Sequence, residues 1–152
     1  MKNPIPLAGF IQIAVVVEDI EEAIDSWCEL FDAPRPVVHV TEAEPNPRET
    51  YRGEVACYGL KLAVIDCADR GFIVELHEPD HNPSTFREFL DEHGNGVHHI
   101  GFQVGEARDA VVGELEAKGY VMRTVGMYPD ASWTIVDGED SLGVNLNIKP
   151  HL

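Results

Sequence analysis

The chain has 152 residues, and its 11 Lys and Arg against 27 Asp and Glu give a formal charge of −16. With 44% hydrophobic and 25% charged residues it has a globular composition, which excludes wholesale disorder. The acidic field repels phosphate backbones and argues against nucleic-acid binding, and no stretch approaches the ~20 apolar residues of a membrane helix. Cys28, Cys57 and Cys67 form no CxxC pair, which fits a reducing compartment. Met1–Leu7 lacks the apolar run of a signal peptide, so the expectation is one cytoplasmic domain over 1–152.

The β-branched run at 10–17, FIQIAVVV, predicts a strand. Asp19 with Glu22 reads as a helix start, and Ile20, Ala23, Ile24, Trp27 and Phe31 recur at helical spacing over 20–31. Pro36–Thr41 predicts a strand, Glu42–Arg52 a polar loop, and Gly53–Asp66 one long strand or two short ones. Phe72–His77 is a further strand. Ser84 opens a short helix through Phe86, Phe89 and Leu90 that His93-Gly94 stops. Val97–Val104 reads as a strand, and Ala107–Leu115 as a helix ending at Gly119. Val121–Val125, Trp133–Asp137 and Val144–Lys149 read as strands.

The two halves repeat. Gln12 to His99 and Ala23 to Ala110 share an offset of 87, and Glu75 to Asn147 has an offset of 72. The shorter offset reflects the long first-half loop. The pattern is a β-α-β-β-β unit in two copies. Strand alternation then sorts the side chains. Ile11, Ile13, Val15 and Val17 share the face that suits a helix-packed core. Gln12, Glu75, His99 and Asn147 each fall mid-strand on the opposite face, at equivalent places in the two halves. Alternation alone also fits a face bathed in water.

GNGVHHIGFQV at 94–104, preceded by FREFLDEH, resembles the segment that opens the second module of epimerase-like members of the vicinal oxygen chelate superfamily. IVELHEP at 73–79 is similar to the metal-carboxylate strand of its first module, and YRG at 51–53 with LKLAVI at 60–65 is similar to small glyoxalase- or epimerase-like members. The superfamily includes glyoxalase I, methylmalonyl-CoA epimerase, extradiol dioxygenases and fosfomycin-resistance proteins. The resemblance implies an α+β fold: two βαβββ modules, about 8–80 and 96–150, joined by a helix near 84–92. They would form a cupped, mostly antiparallel, eight-stranded sheet with helices on the outside. It also implies a homodimer and a small-molecule substrate.

The resemblance further implies a divalent metal (Zn, Ni, Co or Mn) held at Gln12, Glu75, His99 and Asn147. Two of those four residues are neutral amides where the superfamily has an imidazole and a carboxylate. Loss of one negative charge beside a dication costs on the order of several kcal/mol. Asn147 does not titrate and so cannot serve as the base of a proton-transfer member. Glu75 and His99 are the catalytic candidates, and Gln12, Asn147 and His77 the substrate-binding ones. His77 lies two residues beyond Glu75 on the same face. The opposite parity of His98 marks it as a packed histidine. Glu42, Glu49 and Glu54, in or beside the first-half loop, suit either a further base near the cleft rim or solvated loop carboxylates. Lys149, Arg52 and Arg123 suit either an acid group or the surface. Tyr128 and Trp133 suit either a pocket wall or the core. The implied activity is that of a metal-assisted lyase, epimerase or isomerase on a small oxygen-rich substrate. The alternative is a metal-free binding protein, or one of altered chemistry, on the same fold.

Overall fold

The computed structural model describes residues 1–151; Leu152, the last residue of the expected domain, lies outside the described residues. Strand β1 covers Phe10–Val16 and helix α1 covers Ile20–Phe31. Asp19 caps α1 by accepting the Glu21 and Glu22 backbone N–H groups at 3.0 Å each. Asp32 ends it in the left-handed region, at φ 49°. Strands β2 (Val38–Thr41), β3 (Asn46–Tyr51), β4 (Glu54–Ala56), β5 (Leu60–Asp66) and β6 (Ile73–Pro79) follow. Helix α2 (Thr85–His93) starts at Ser84, whose hydroxyl accepts the Arg87 N–H at 2.9 Å. Then come β7 (Gly96–Gln103), α3 (Arg108–Ala117), β8 (Met122–Met127), β9 (Ser132–Val136), the one-turn α4 (Glu139–Leu142) and β10 (Asn145–Lys149).

The sheet has ten strands, in the order β2-β5-β6-β1-β7-β10-β9-β8-β3-β4, and not the expected eight. The additional pair is the β3–β4 hairpin, built largely from the segment read as a polar loop. Arg52 and Gly53 both take positive φ, 49° and 84°. That is the backbone a two-residue hairpin turn requires. It sets Tyr51 opposite Glu54. β3 then pairs antiparallel with β8, Thr50 opposite Val125. The sheet is also mixed and not mostly antiparallel. β10 runs parallel to β7, with Asn145 beside His99 and Lys149 beside Gln103. A parallel pair needs a long crossover, which α3, β8 and β9 supply.

Two compact units make up the chain. One comprises Ile13–Pro45 and Cys57–His98. In it α1 lays Ile20 and Ile24, both fully buried, against Ala63, Ile65, Val74 and Leu76. Each such side chain contributes about 1.5–3 kcal/mol on burial. The other face of this sheet is covered too. Val16 packs with Phe86, Phe89 and Leu90 of α2. The expectation that all helices lie on the outer face is therefore corrected: Val15 and Val17 meet the α1 layer, and Val16 between them meets α2. His98 is fully buried beneath α2, with its Nε2 3.0 Å from the Thr85 hydroxyl.

The second unit comprises Met1–Gln12, Asn46–Ala56 and the chain from His99 onward. Val111 and Leu115 of α3 pack on Phe102, Val136, Leu146 and Ile148. Strand alternation turns His99, Gly101, Asn145, Asn147 and Lys149 to the opposite face. The N-terminal residues are tied down by Glu114, which accepts the Lys2 and Asn3 backbone N–H groups at 2.9 Å each. No helix among the described residues is long and apolar enough to cross a membrane.

Candidate functional site

The parallel register of β7 and β10 builds a row of polar side chains in the second unit. His99 lies beside Asn145, Gly101 beside Asn147 and Gln103 beside Lys149. His99, Asn145 and Asn147 are buried, Lys149 is half-buried and Gln103 is exposed, so the row runs from the interior to the surface. Gln12, at 0% exposure, lies across this row. It passes over Gly101, where an added Cβ would sit 2.4 Å from Gln12 Cγ and 2.6 Å from Cδ. Glycine is the residue that leaves this passage open.

The Gln12 amide has a defined orientation. Lys149 Nζ donates to Gln12 Oε1 at 3.3 Å, and Gln12 Nε2 lies 3.0 Å from His99 Nε2. An ammonium only donates, so it must face the amide oxygen. The amide nitrogen is then left for the imidazole, and it too only donates. His99 Nε2 therefore accepts, and the ring proton sits on Nδ1. Asn147 Oδ1 accepts the Thr134 backbone N–H at 3.3 Å. Asn145 accepts the Gly138 N–H at 3.2 Å and donates to Glu139 at 3.1 Å. Glu139 is in turn met by Arg123 Nη1 at 3.1 Å, and Arg123 Nη2 pairs with Asp137 at 3.1 Å.

In the first unit, Glu75 and His77 stand on β6 two residues apart and on one face. His77 Nε2 lies 3.0 Å from Glu75 Oε2, with side-chain exposures of 6% and 13%. The His77 ring stacks on Phe86, centroids 4.8 Å apart and planes at 10°. The expected site residues thus come as two groups, each described within its own unit: Gln12 joined to His99 above the Asn147 row, and Glu75 joined to His77.

Sequence reasoning missed one feature, the burial of Glu49. Glu49 reads as a loop residue, either a rim base or a solvated carboxylate, yet it stands on a strand, is 6% exposed and is reached by the Thr124 hydroxyl at 3.4 Å. The reason is the unforeseen β3–β8 pairing. Lys149, which suits an acid group or the surface by sequence, stands on β10 two residues past Asn147 with the same parity and donates to Gln12. Arg123, the other undecided cation, is a buried ion-pair residue. Tyr128 stacks on Trp133 with centroids 5.0 Å apart.

Residues 11–136 match the family described as the Glyoxalase/Bleomycin resistance protein/Dioxygenase superfamily. The chain belongs to this superfamily. Solved structures share its fold. Methylmalonyl-CoA epimerase from Mycobacterium tuberculosis is 18% identical, with a TM-score of 0.60 over 93% of this chain and 86% of that one. A hypothetical protein from Bacillus halodurans is 18% identical, with a TM-score of 0.61 over 92% and 91%. A 4-hydroxymandelate synthase mutant from Streptomyces coelicolor is 18% identical, with a TM-score of 0.65 over 98% of this chain and 50% of that one. No curated protein matches the sequence.

The superfamily's divalent ion can be tested against the residues of the second unit. The three positions there offer two amides and one imidazole, with no carboxylate. The His99 Nε2 lone pair takes the Gln12 N–H, and the Gln12 oxygen faces an ammonium 3.3 Å away. A dication would meet that ammonium as a like charge, with no anionic ligand in this group to offset it. These three residues do not by themselves make a site for a tightly held divalent ion; Glu75, the carboxylate of the expected four, belongs to the other unit. An apolar cleft of about 310 Å³ opens on the other face of the same strands, lined by Ile5, Leu7, Ile100, Phe102 and Leu146 among others. It contains none of the groups with chemistry.

Proposed function

We propose that this superfamily member is an epimerase- or isomerase-type enzyme that moves a proton next to a carbonyl in a small oxygen-rich substrate, without a tightly held divalent ion. The observation that carries the reading is the Gln12 amide, oriented oxygen to Lys149 and nitrogen to His99. It makes the buried face a set of neutral donors and acceptors with one cation, which suits an organic oxyanion better than a metal. Glu75 is the proposed proton carrier, and His99, whose Nε2 lone pair takes the Gln12 N–H, is the proposed catalytic group that polarises the substrate without itself taking up a proton. Glu75 is a nearly buried carboxylate, and carboxylates accept only. His77 Nε2–H therefore donates to Glu75 Oε2 and orients the carboxylate proposed to take the proton. Gln12 and Asn147 are the proposed substrate-binding groups, with His77 as the residue that positions Glu75. One epimerase neighbour is described in complex with methylmalonyl-CoA, which makes acyl compounds the first substrates to try.

The test is proton exchange. Chelator-treated protein is incubated in D2O with methylmalonyl-CoA and with simpler 2-substituted acids, and loss of the C–H signal is followed by NMR. Exchange is expected in the native protein, unchanged by chelator, and lost in Glu75→Gln and His99→Gln. Exchange that appears only on addition of Co²⁺ or Ni²⁺ would restore the metal-assisted reading. Binding without exchange would make the chain a binding protein.

A further inference from the structure

We propose that Lys149 is the anion anchor of this site: its ammonium, oriented by Gln12, binds a carboxylate oxygen of the substrate. The inference rests on the reading of a small oxygen-rich substrate and names the group that substrate must carry. Three observations support it. The first is economy of charge. The chain has 11 basic residues against 27 acidic ones. Arg35, Lys61, Arg87, Arg108 and Arg123 are each engaged by carboxylates. Lys149 meets no carboxylate among the described residues, and its side-chain partner is the neutral Gln12 Oε1. Lys2, Arg48, Arg70 and Lys118 are exposed to water, whereas Lys149 is half-buried beside the polar row, and a half-buried cation kept from acidic neighbours suits an incoming anion.

The second observation is donor count. An ammonium has three N–H donors. One goes to Gln12, and two remain for ligand oxygens. The third is placement. The Lys149 backbone is fixed in the sheet beside Gln103, and its carbonyl accepts the Val104 N–H at 2.8 Å. The side chain stands half-buried, between the exposed Gln103 and the buried row of Asn147 and His99. A carboxylate drawn to it would enter from the open end, with its remaining atoms toward the polar row. Partial burial strengthens such a contact relative to open water.

The inference predicts that charge, and not size, governs binding. Lactate and lactamide differ by a carboxylate against an amide of nearly equal shape, and malonate offers a second anion. Binding of the three is measured by NMR shift titration of the native protein, Lys149→Arg, Lys149→Gln and Lys149→Met, each checked for folding by its thermal transition. The native protein is expected to bind lactate or malonate at least tenfold more tightly than lactamide. Lys149→Gln and Lys149→Met should lose about tenfold to a hundredfold in anion affinity, and Lys149→Arg should keep most of it. Equal binding of lactate and lactamide, or unchanged anion affinity in a folded Lys149→Gln, overturns the anchor and leaves the proposed function standing. Failure of the native protein to bind any of the three probes overturns both.

Discussion

Gly101→Ala should damage the site through Gln12, and the size of the damage follows from the geometry. The new methyl would stand 2.4 Å from Gln12 Cγ and 2.6 Å from Cδ. Carbon pairs rest at about 3.5–4.0 Å, so one side must move by roughly 1 Å or more. Gln12 has little room, because it is fully buried and its amide is held at both ends. Relief therefore breaks the contacts to His99 and Lys149. Overpacking costs about 1–3 kcal/mol, and two lost hydrogen bonds about 0.5–1.5 kcal/mol each. The expected loss is about 2–6 kcal/mol. Gln12→Ala alone, which takes the amide from the same two partners, should cost about 1–3 kcal/mol.

The double variant separates this account from general strain. With Gln12→Ala in place, the Gly101→Ala methyl enters vacated space. The pair should then fall short of the sum of the singles by about the whole Gly101→Ala cost, ~2 kcal/mol or more, well beyond the ~0.5 kcal/mol scatter of independent sites. Urea unfolding, followed by the fluorescence of Trp27 and Trp133 and by circular dichroism, measures all four corners. For a chain of this length each kcal/mol moves the melting temperature by about 2–4 °C. Additivity within ~0.5 kcal/mol would show that Gln12 does not lie over Gly101 as described.

Gln12→His combined with Asn147→Glu restores an imidazole and a carboxylate; Ni²⁺ and Co²⁺ affinity by calorimetry should rise at least about tenfold, and further with Lys149→Met, which removes a like charge. A native protein that already binds one metal as tightly refutes this. The Asn3 and Lys2 N–H groups hold the Glu114 carboxyl below its usual range, the Asn3 backbone contributing most. This clamp is in place above the ordinary carboxylate pKa of about 4.3 and is lost as pH falls through the lowered value. The amide shifts of Lys2 and Asn3 should move only at a lower pH than an ordinary carboxylate would set, whereas Glu114→Gln should displace them at every pH. Ser84→Ala removes the hydroxyl that accepts the Arg87 N–H at 2.9 Å, and should cost about 0.5–2 kcal/mol in urea unfolding.

The elements that sequence shows well are those whose pattern is local. α1 announces itself through Asp19 and the spacing of Ile20 and Ile24, and α2 through Ser84 and its aromatic stripe. β7 and β10 show their alternation, so the side to which His99 and Asn147 belong is readable. The β3–β4 hairpin is hidden because NPRETY carries a proline and charges, and its strand character comes from pairing with β8, some 75 residues away. Glu49 is hidden with it. The covering of Val16 by α2 is hidden for another reason. Alternation says which residues share a face, but not what packs on that face. The same limit applies to Gln12. Its parity is legible, but its two hydrogen bonds depend on Gly101 leaving room and on Lys149 reaching back across the strands.

Those two hydrogen bonds invert the charge preference of the buried face. A cage of imidazole and carboxylate groups presents lone pairs and negative charge, and so calls for a cation. In the second unit, amides stand at Gln12 and Asn147, the His99 lone pair is taken by an amide N–H, and Lys149 adds a positive charge. That arrangement suits the anion proposed for it. The protein as a whole opposes that, because its −16 charge repels an anion at long range. The two effects act over different distances. Long-range repulsion is screened within a Debye length of about 8 Å at physiological salt, whereas a contact with a half-buried ammonium is screened much less. A small carboxylate should therefore associate faster as salt rises toward physiological strength, in contrast to a site steered by its own surface. Once inside, its affinity should depend on Lys149 more than on the net charge.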